Sequence, residues 1–175
     1  MENEVRIRAA AADDAPGIGR LARELIRWEH SINPEIGEPT PWAGSPTEIR
    51  RQMEQPGTMF ILAERKGVIV GYVKAVIHDQ GKRRSLVRRL FELLGRRPRP
   101  NFSASGGLIP GIFVCAEERG AGLGQQLSRA AEEWLRSQGV SRVYIHVLQK
   151  NDQALSFWDG NGYAPVTIVL GKSLD

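Results

Sequence analysis

Hydrophobic and polar residues change their spacing repeatedly along this chain, and each change marks an element. Val5-Arg-Ile-Arg-Ala9 alternates, as a half-buried strand does. Ile18, Leu21, Ala22, Leu25 and Ile26 then recur at helical spacing. Asp13 or Asp14 precedes them as a cap, and Pro16 suits the first turn. From His30 to Pro46 the prolines and glycines predict a loop. Ser45 or Thr47 is placed to cap a short helix running through Met53. Thr58 to Glu64 and Val68 to His78 are β-rich runs joined at Arg65-Lys66-Gly67, a hairpin connection. The segment 79–107 interrupts the pattern. Within it Leu86, Val87, Leu90, Phe91, Leu93 and Leu94 suggest one short amphipathic helix, ended by the extended run Arg96-Arg-Pro-Arg-Pro100. Leu108 to Cys115 resumes the sheet. Leu123, Leu127, Ala130, Ala131, Trp134 and Leu135 mark the buried stripe of a helix that Gly139 ends. A strand at 142–148, a helix starting at Asn151 and a last strand around Ala164–Leu170 complete the order β-α-α-β-β-(insert)-β-α-β-α-β, an α/β pattern.

Composition narrows the setting. A chain of 175 residues is expected to form one domain, 1–175, able to bury its own core. The lone Cys115 excludes an internal disulfide and points to a reducing compartment, so a cytoplasmic protein is expected. The N-terminus carries no basic-then-apolar leader, and no apolar run is long enough to span a bilayer. No metal is expected. The net charge of +4 is unevenly placed. Lys82, Arg83, Arg84, Arg88, Arg89, Arg96, Arg97 and Arg99 face only Glu92, whereas from Glu29 to Glu54 acidic residues outnumber Arg50 and Arg51. The basic character belongs to one insertion.

Chemistry enters at Arg119-Gly120-Ala121-Gly122-Leu123-Gly124, between an apolar strand and a helix. A strand that turns through glycines into a helix aims backbone N–H groups and the positive end of the helix dipole at one point, a phosphate-binding device. A Walker-type loop would end in Gly-Lys-Ser/Thr, but Gln125 and Gln126 follow Gly124. A dinucleotide turn needs another glycine spacing and a carboxylate on the next strand, and 142–148 has none. The pyrophosphate loop Arg/Gln-x-x-Gly-x-Gly/Ala is met by Arg119, Gly122 and Gly124. A second block lies downstream in Asn151, Ala154, Phe157, Trp158, Gly162 and Tyr163. Over about 112–163 the chain thus resembles the GNAT superfamily of acyl-CoA N-acyltransferases.

That resemblance implies a mixed sheet whose fourth and fifth strands splay apart, with acetyl-CoA as donor. Ile112, Phe113 and Val114 would pair with pantetheine. Arg119, Gly120, Ala121, Gly122, Leu123, Gly124 and Gln125 would hold the pyrophosphate. Asn151, Phe157 and Trp158 would flank the thiol end. The acceptor is expected to be an amine, small-molecule or peptide. It must lose a proton before attack, since amines near pKa 10 are mostly charged at neutral pH. The Val114 amide is the expected oxyanion donor. His146 is the candidate base, since imidazole titrates near neutrality and its neighbours Ile145 and Val147 would face the other side of the strand. Trp158 stands where the family usually has an acidic Tyr, and an indole cannot release a proton. Glu29, His30, Glu35 and Glu38 fall where the family forms one lip of the acceptor site, and would favour a cationic amine. Trp28, Trp42 and Met53 are candidates for an apolar lining. A different class of function stays open: a catalytically weak acyl-CoA-binding module acting through the basic arm on nucleic acid or an acidic partner. A homodimer is a further possibility from the resemblance.

Overall fold

The computed structural model describes residues 4–34, 40–78, 106–170 and 172. The helix expected within 86–94 lies outside the described residues.

The described chain runs β1 (Arg6–Ala9), α1 (Ala15–Ile32), α2 (Pro46–Met53), β2 (Thr58–Arg65), β3 (Val68–His78), β4 (Gly106–Val114), α3 (Leu123–Ser137), β5 (Val143–Ile145) and α4 (Asp152–Gly160). The strands form one mixed sheet in the order β1-β2-β3-β4-β5. The first three pairings are antiparallel, and β4 pairs β5 in parallel. The β2–β3 hairpin turns at Lys66 and Gly67, both at positive φ (50° and 76°). Two successive positive φ values match the turn to the right-handed twist of the strands.

Each face of the sheet carries helices because the strands alternate. Along β2, Ile61 and Ala63 face one side with Val73, Ala75 and Ile109, under Leu123, Leu127, Ala131 and Leu135 of α3. Phe60 and Leu62 face the other side with Tyr72 and Phe113, under Ile18, Leu21 and Ala22 of α1 and Ile49 of α2. Leu62, Leu127 and Leu135 are fully buried. Each such side chain contributes about 1.5–3 kcal/mol by leaving water.

In β4 the alternation slips. Lys74 sits opposite Gly111 and Val76 opposite Leu108, so Ile109 and Pro110 share the place opposite Ala75. Proline has no N–H to give a ladder and is tolerated at such a bulge. Ile109 therefore faces the α3 side, and after the bulge the even-numbered Ile112 and Val114 do so, while Phe113 joins the α1 side.

Four sequence expectations need correction. Asp14 does not cap α1 with its side chain. It accepts instead from the Ala11 amide at 2.7 Å and from both terminal nitrogens of Arg8 at 2.6 and 2.8 Å. Arg8 also reaches Glu64 Oε2 through Nε at 2.7 Å, tying β1 to β2 and to the entry of α1. The segment between the third and fourth strands was expected to reach 107, but Gly106 and Gly107 already belong to β4. The strand expected at 142–148 shortens to Val143–Ile145. The last strand expected around Ala164–Leu170 does not form, and Ile168, Val169 and Leu170 are exposed. Alternation is a local signal, whereas a strand also needs a neighbouring edge to receive its hydrogen bonds. The three-residue β5 offers little ladder. Ser45 does cap α2, accepting from the Glu48 amide, and Gly139 does follow α3 with positive φ.

Candidate active site

The site begins where β4 outruns β5. The two strands pair only between Gly107–Ile109 and Val143–Ile145, yet β4 continues to Val114. The Cys115 amide donates to Val70 O of β3 at 2.9 Å. Alternation then turns the Phe113 amide the same way and aims the Ile112 and Val114 amides into the gap past β5. The Val114 carbonyl faces the same gap and accepts from Arg119 Nε at 3.1 Å. The Arg119 guanidinium lies 5.5 Å from the centre of the Phe113 ring.

Beyond β4 a short turn at Ala116–Glu118 leads to the glycine run. Glu118 pairs with Arg65 at 2.9 Å, which fastens the loop to the β2–β3 hairpin. Gly120 and Gly122 have φ of 81° and 75°, and a Cβ at either would meet nothing within 4 Å. Backbone conformation, not crowding, selects glycine at these two positions. Gly122 is the N-cap of α3. No side chain caps that helix, and no carboxylate lies in its first turn. Its first helical bond runs from the Gln126 amide to Gly122 O at 3.1 Å, so the amides of Leu123, Gly124 and Gln125 precede the ladder and point out of the helix end. Three N–H groups and the helix dipole make an anion cradle.

The opposite wall is α4. Asn151 is buried and caps this helix, its Oδ1 accepting from the Ala154 amide at 2.9 Å. Trp158 is also buried, edge-on to Phe157 at 4.9 Å and to Tyr163 at 4.8 Å. Tyr163 donates to Glu132 Oε1 at 2.9 Å, and Ser128 donates to the same oxygen at 3.1 Å, so α3 is stitched to the end of α4. Burial, and then the bond to Glu132, raise the Tyr163 phenol well above its ordinary value.

These elements enclose a cleft of about 480 Å³. It runs from the anion cradle along the β4 edge to the end of α1. Ile112, Phe113, Val114, Arg119, Gly120, Gly122, Leu123, Gly124, Gln125, His146, Asn151, Phe157 and Trp158 all line it, and Glu29 closes its far end. Ala121 and His30 do not line it. Trp42 is 64% exposed and away from the cleft, and Met53 packs against the α1-side core, so neither forms the lining. Glu35 and Glu38 lie outside the described residues. His146 is not within a strand: it follows the end of β5 and is exposed.

Leu25, Gly111 and Gln153 line the cleft without having been singled out from the sequence as site residues. Leu25 was placed in the core stripe of α1, and it does continue that stripe. Its neighbour one turn on is Glu29, and that interval was the available signal. Glu29 is half-buried, and burial raises its carboxyl above the ordinary value. Behind it the buried Tyr72 phenol is pushed well above its usual value, by burial and then by the Glu29 charge. Among the described residues no helix is long and apolar enough to cross a membrane, and no group of three His, Cys, Asp or Glu could hold a metal ion.

Comparison with known proteins adds the family. The profile described as "Acetyltransferase (GNAT) family" matches residues 22–163. A mycothiol acetyltransferase of Thermobispora bispora is 28% identical over 127 residues, covering 69% of this chain but only 36% of that protein. The chain thus spans little more than a third of that relative. Among solved structures, a tetramutant of the BH1408 protein of Bacillus halodurans superposes with TM-score 0.77 at 15% identity, covering 97% of this chain and 99% of the other. The aminoglycoside N-acetyltransferase AAC(6')-Iy, solved in complex with CoA, superposes with TM-score 0.69 at 17% identity, covering 99% and 96%. At these identities the structural likenesses speak for the fold. With a family profile spanning most of its length, the chain belongs to the GNAT acetyltransferase family.

Proposed function

We propose that the chain, acting as one domain over 1–175, is an N-acetyltransferase that moves an acetyl group from acetyl-CoA to a primary amine by direct attack. The observation that carries this reading is the continuity of the cleft. An uncapped helix end with no carboxylate of its own opens into a strand edge whose amides have no neighbouring strand. That donor set suits a diphosphate followed by an amide-bearing arm. Leu123, Gly124 and Gln125 would hold the diphosphate through backbone N–H groups, with Gly120 and Gly122 shaping the turn. Ile112 and Val114 would pair with the arm, and Phe157 and Trp158 would wall its thiol end. Bound there, the thioester supplies an activated acyl carbon and a thiolate leaving group.

The protein's own contributions follow from position. The Val114 amide is aimed to donate to a carbonyl oxygen as charge grows on it, and losing such a donor typically costs roughly a hundred- to a thousandfold in rate. Trp158 walls the cleft and supplies no proton, so the thiolate, with an ordinary thiol pKa near 8.5, leaves without that help. Among the described residues lining the cleft, His146 at one rim and Glu29 at the other can accept a proton from the amine, while Glu118 is paired with Arg65. A cationic acceptor is favoured by the carboxylate of Glu29. The aminoglycoside N-acetyltransferases among the structural neighbours make amino sugars natural first probes.

Calorimetry with CoA and acetyl-CoA, followed by thiol release with a panel of amines, tests the reading. Heat of binding together with amine-dependent thiol release above the uncatalysed rate is expected. Folded protein that shows no heat, and no protection against melting by either compound, would overturn it.

A further inference from the structure

Among the described residues, the acceptor end of the cleft holds one carboxylate, that of Glu29, set in an apolar wall. Glu29 lies one helical turn after Leu25 and next to Trp28, and all three line the cleft. Beneath them β4 presents Gly111, which has no side chain. A Cβ built there would sit 3.4 Å from Leu25 Cδ2 and 3.8 Å from the Tyr72 hydroxyl. At this position β4 therefore presents only backbone to the cleft, with Leu25 in contact range above it and Phe113 two residues on.

The charged and titratable surroundings of Glu29 leave its carboxylate the group best placed for proton traffic. From β3, Tyr72 is its buried neighbour and stays protonated throughout the neutral range. Glu118 and Arg119 line the cleft as well, but Glu118 is paired with Arg65 and Arg119 donates to the Val114 carbonyl. On its own helix Glu24 is paired with Arg20, and His30 does not line the cleft. His146 also faces the cleft, but from an exposed position after β5.

We propose that Glu29 is the group that takes the proton from the acceptor ammonium. This rests on the N-acetyltransferase reading above. The carboxylate first attracts the cation. Half-burial raises the Glu29 carboxyl above its ordinary value, which makes it a better acceptor for the proton that must leave nitrogen before attack. The amine lone pair then forms the C–N bond at the acyl carbon, and the C–S bond breaks with its electron pair on sulfur. The second amine proton leaves the new amide nitrogen and ends on the thiolate through water. Glu29 returns its proton to solvent, so one ammonium and one thioester become one amide, one thiol and one released proton.

The test is the pH profile of Glu29→Gln beside wild type, with Glu24→Gln as the control. Kanamycin, spermidine and 2-phenylethylamine are the acceptor probes. A general base contributes about a hundredfold or more, so kcat should fall about a hundredfold and the acidic limb of kcat/KM should disappear, with wild-type heat of CoA binding retained. Glu24→Gln should match wild type. Carbon-13 NMR titration of the glutamate carboxyls, assigned by the loss of one signal in Glu29→Gln, should place Glu29 above the ordinary glutamate value. A kcat within about twofold of wild type with only KM raised would assign Glu29 to docking the cation and overturn the proposal. So would loss of the acidic limb in His146→Gln alone, or a Glu29 signal titrating at the ordinary value. That last reading decides even if none of the three amines turns over. Absence of CoA heat in the wild type would instead remove the underlying enzyme reading.

Discussion

The two halves of the sheet solve opposite problems. From β1 to β3 the strands pair in antiparallel ladders along their lengths, helices cover both faces, and Arg8 clamps β1 to Asp14 and Glu64. From β4 to β5 the ladder stops after three residue pairs, a bulge turns the strand, and the next helix begins without a cap. One half satisfies its polar groups within the protein. The other leaves backbone donors aimed into a cleft. An unpaired edge and an uncapped helix end are ordinarily liabilities, and their meeting at one cleft is the feature on which the proposed ligand site rests.

That contrast can be broken from the closed side first. Leu62→Ala removes a fully buried side chain under α1. It should cost about 2–5 kcal/mol of stability, while the folded fraction keeps wild-type affinity for CoA. Denaturant unfolding with parallel calorimetry checks both halves of this expectation. Next comes the clamp. Asp14→Asn should cost about 1.5–3 kcal/mol, the range for hydrogen bonds to charged groups. Its pH dependence has a definite sign. The Arg8 hydrogen bonds hold the Asp14 carboxyl below its ordinary value of 3.8. The stabilisation is therefore present above that value and lost as pH falls through the lower folded value. Melting curves in acid should show wild type and variant converging.

On the open side the effects on stability shrink and those on binding grow. Gly122→Ala forces a side chain into a left-handed conformation at a cost of about 1–2 kcal/mol. Because nothing crowds that position, the loss should appear mainly as weaker CoA binding. Unchanged affinity would show that the cradle does not depend on this turn. Tyr163→Phe leaves the Glu132 carboxylate with Ser128 alone and should cost about 0.5–1.5 kcal/mol. The smallest expected change runs in the other direction. Burial raises the Glu29 carboxyl in the folded state, so the folded protein binds that proton more tightly than the unfolded chain does. Stability from this residue then falls as pH rises above the ordinary carboxylate value. Glu29→Gln should remove the loss and raise Tm slightly near neutral pH, even as it impairs turnover.

Much of this architecture is readable from local pattern. The period changes place β2, β3, α1, α2 and α3 close to their observed bounds, because each element buries one face and the spacing of its apolar residues records that face. The glycine loop is readable too, since positive φ at Gly120 and Gly122 is a demand that sequence displays directly. Trp158 shows how far identity alone goes. It was recognised as a departure from the family pattern, but its place between Phe157 and Tyr163 is a matter of packing.

What the chain's order of residues determined by itself is most of the list of elements, the glycine turn with its positive φ values and the membership of a family. The tertiary structure decided where β5 stops, how the Pro110 bulge reverses the faces of β4, that residues 164–170 form no strand, and that Glu29 rather than His30 or Trp42 closes the cleft. The physical reason is common to all four. Periodicity reports how a segment meets its own core, whereas edge pairing, splay and partial burial depend on segments distant in sequence, and no local spacing encodes those.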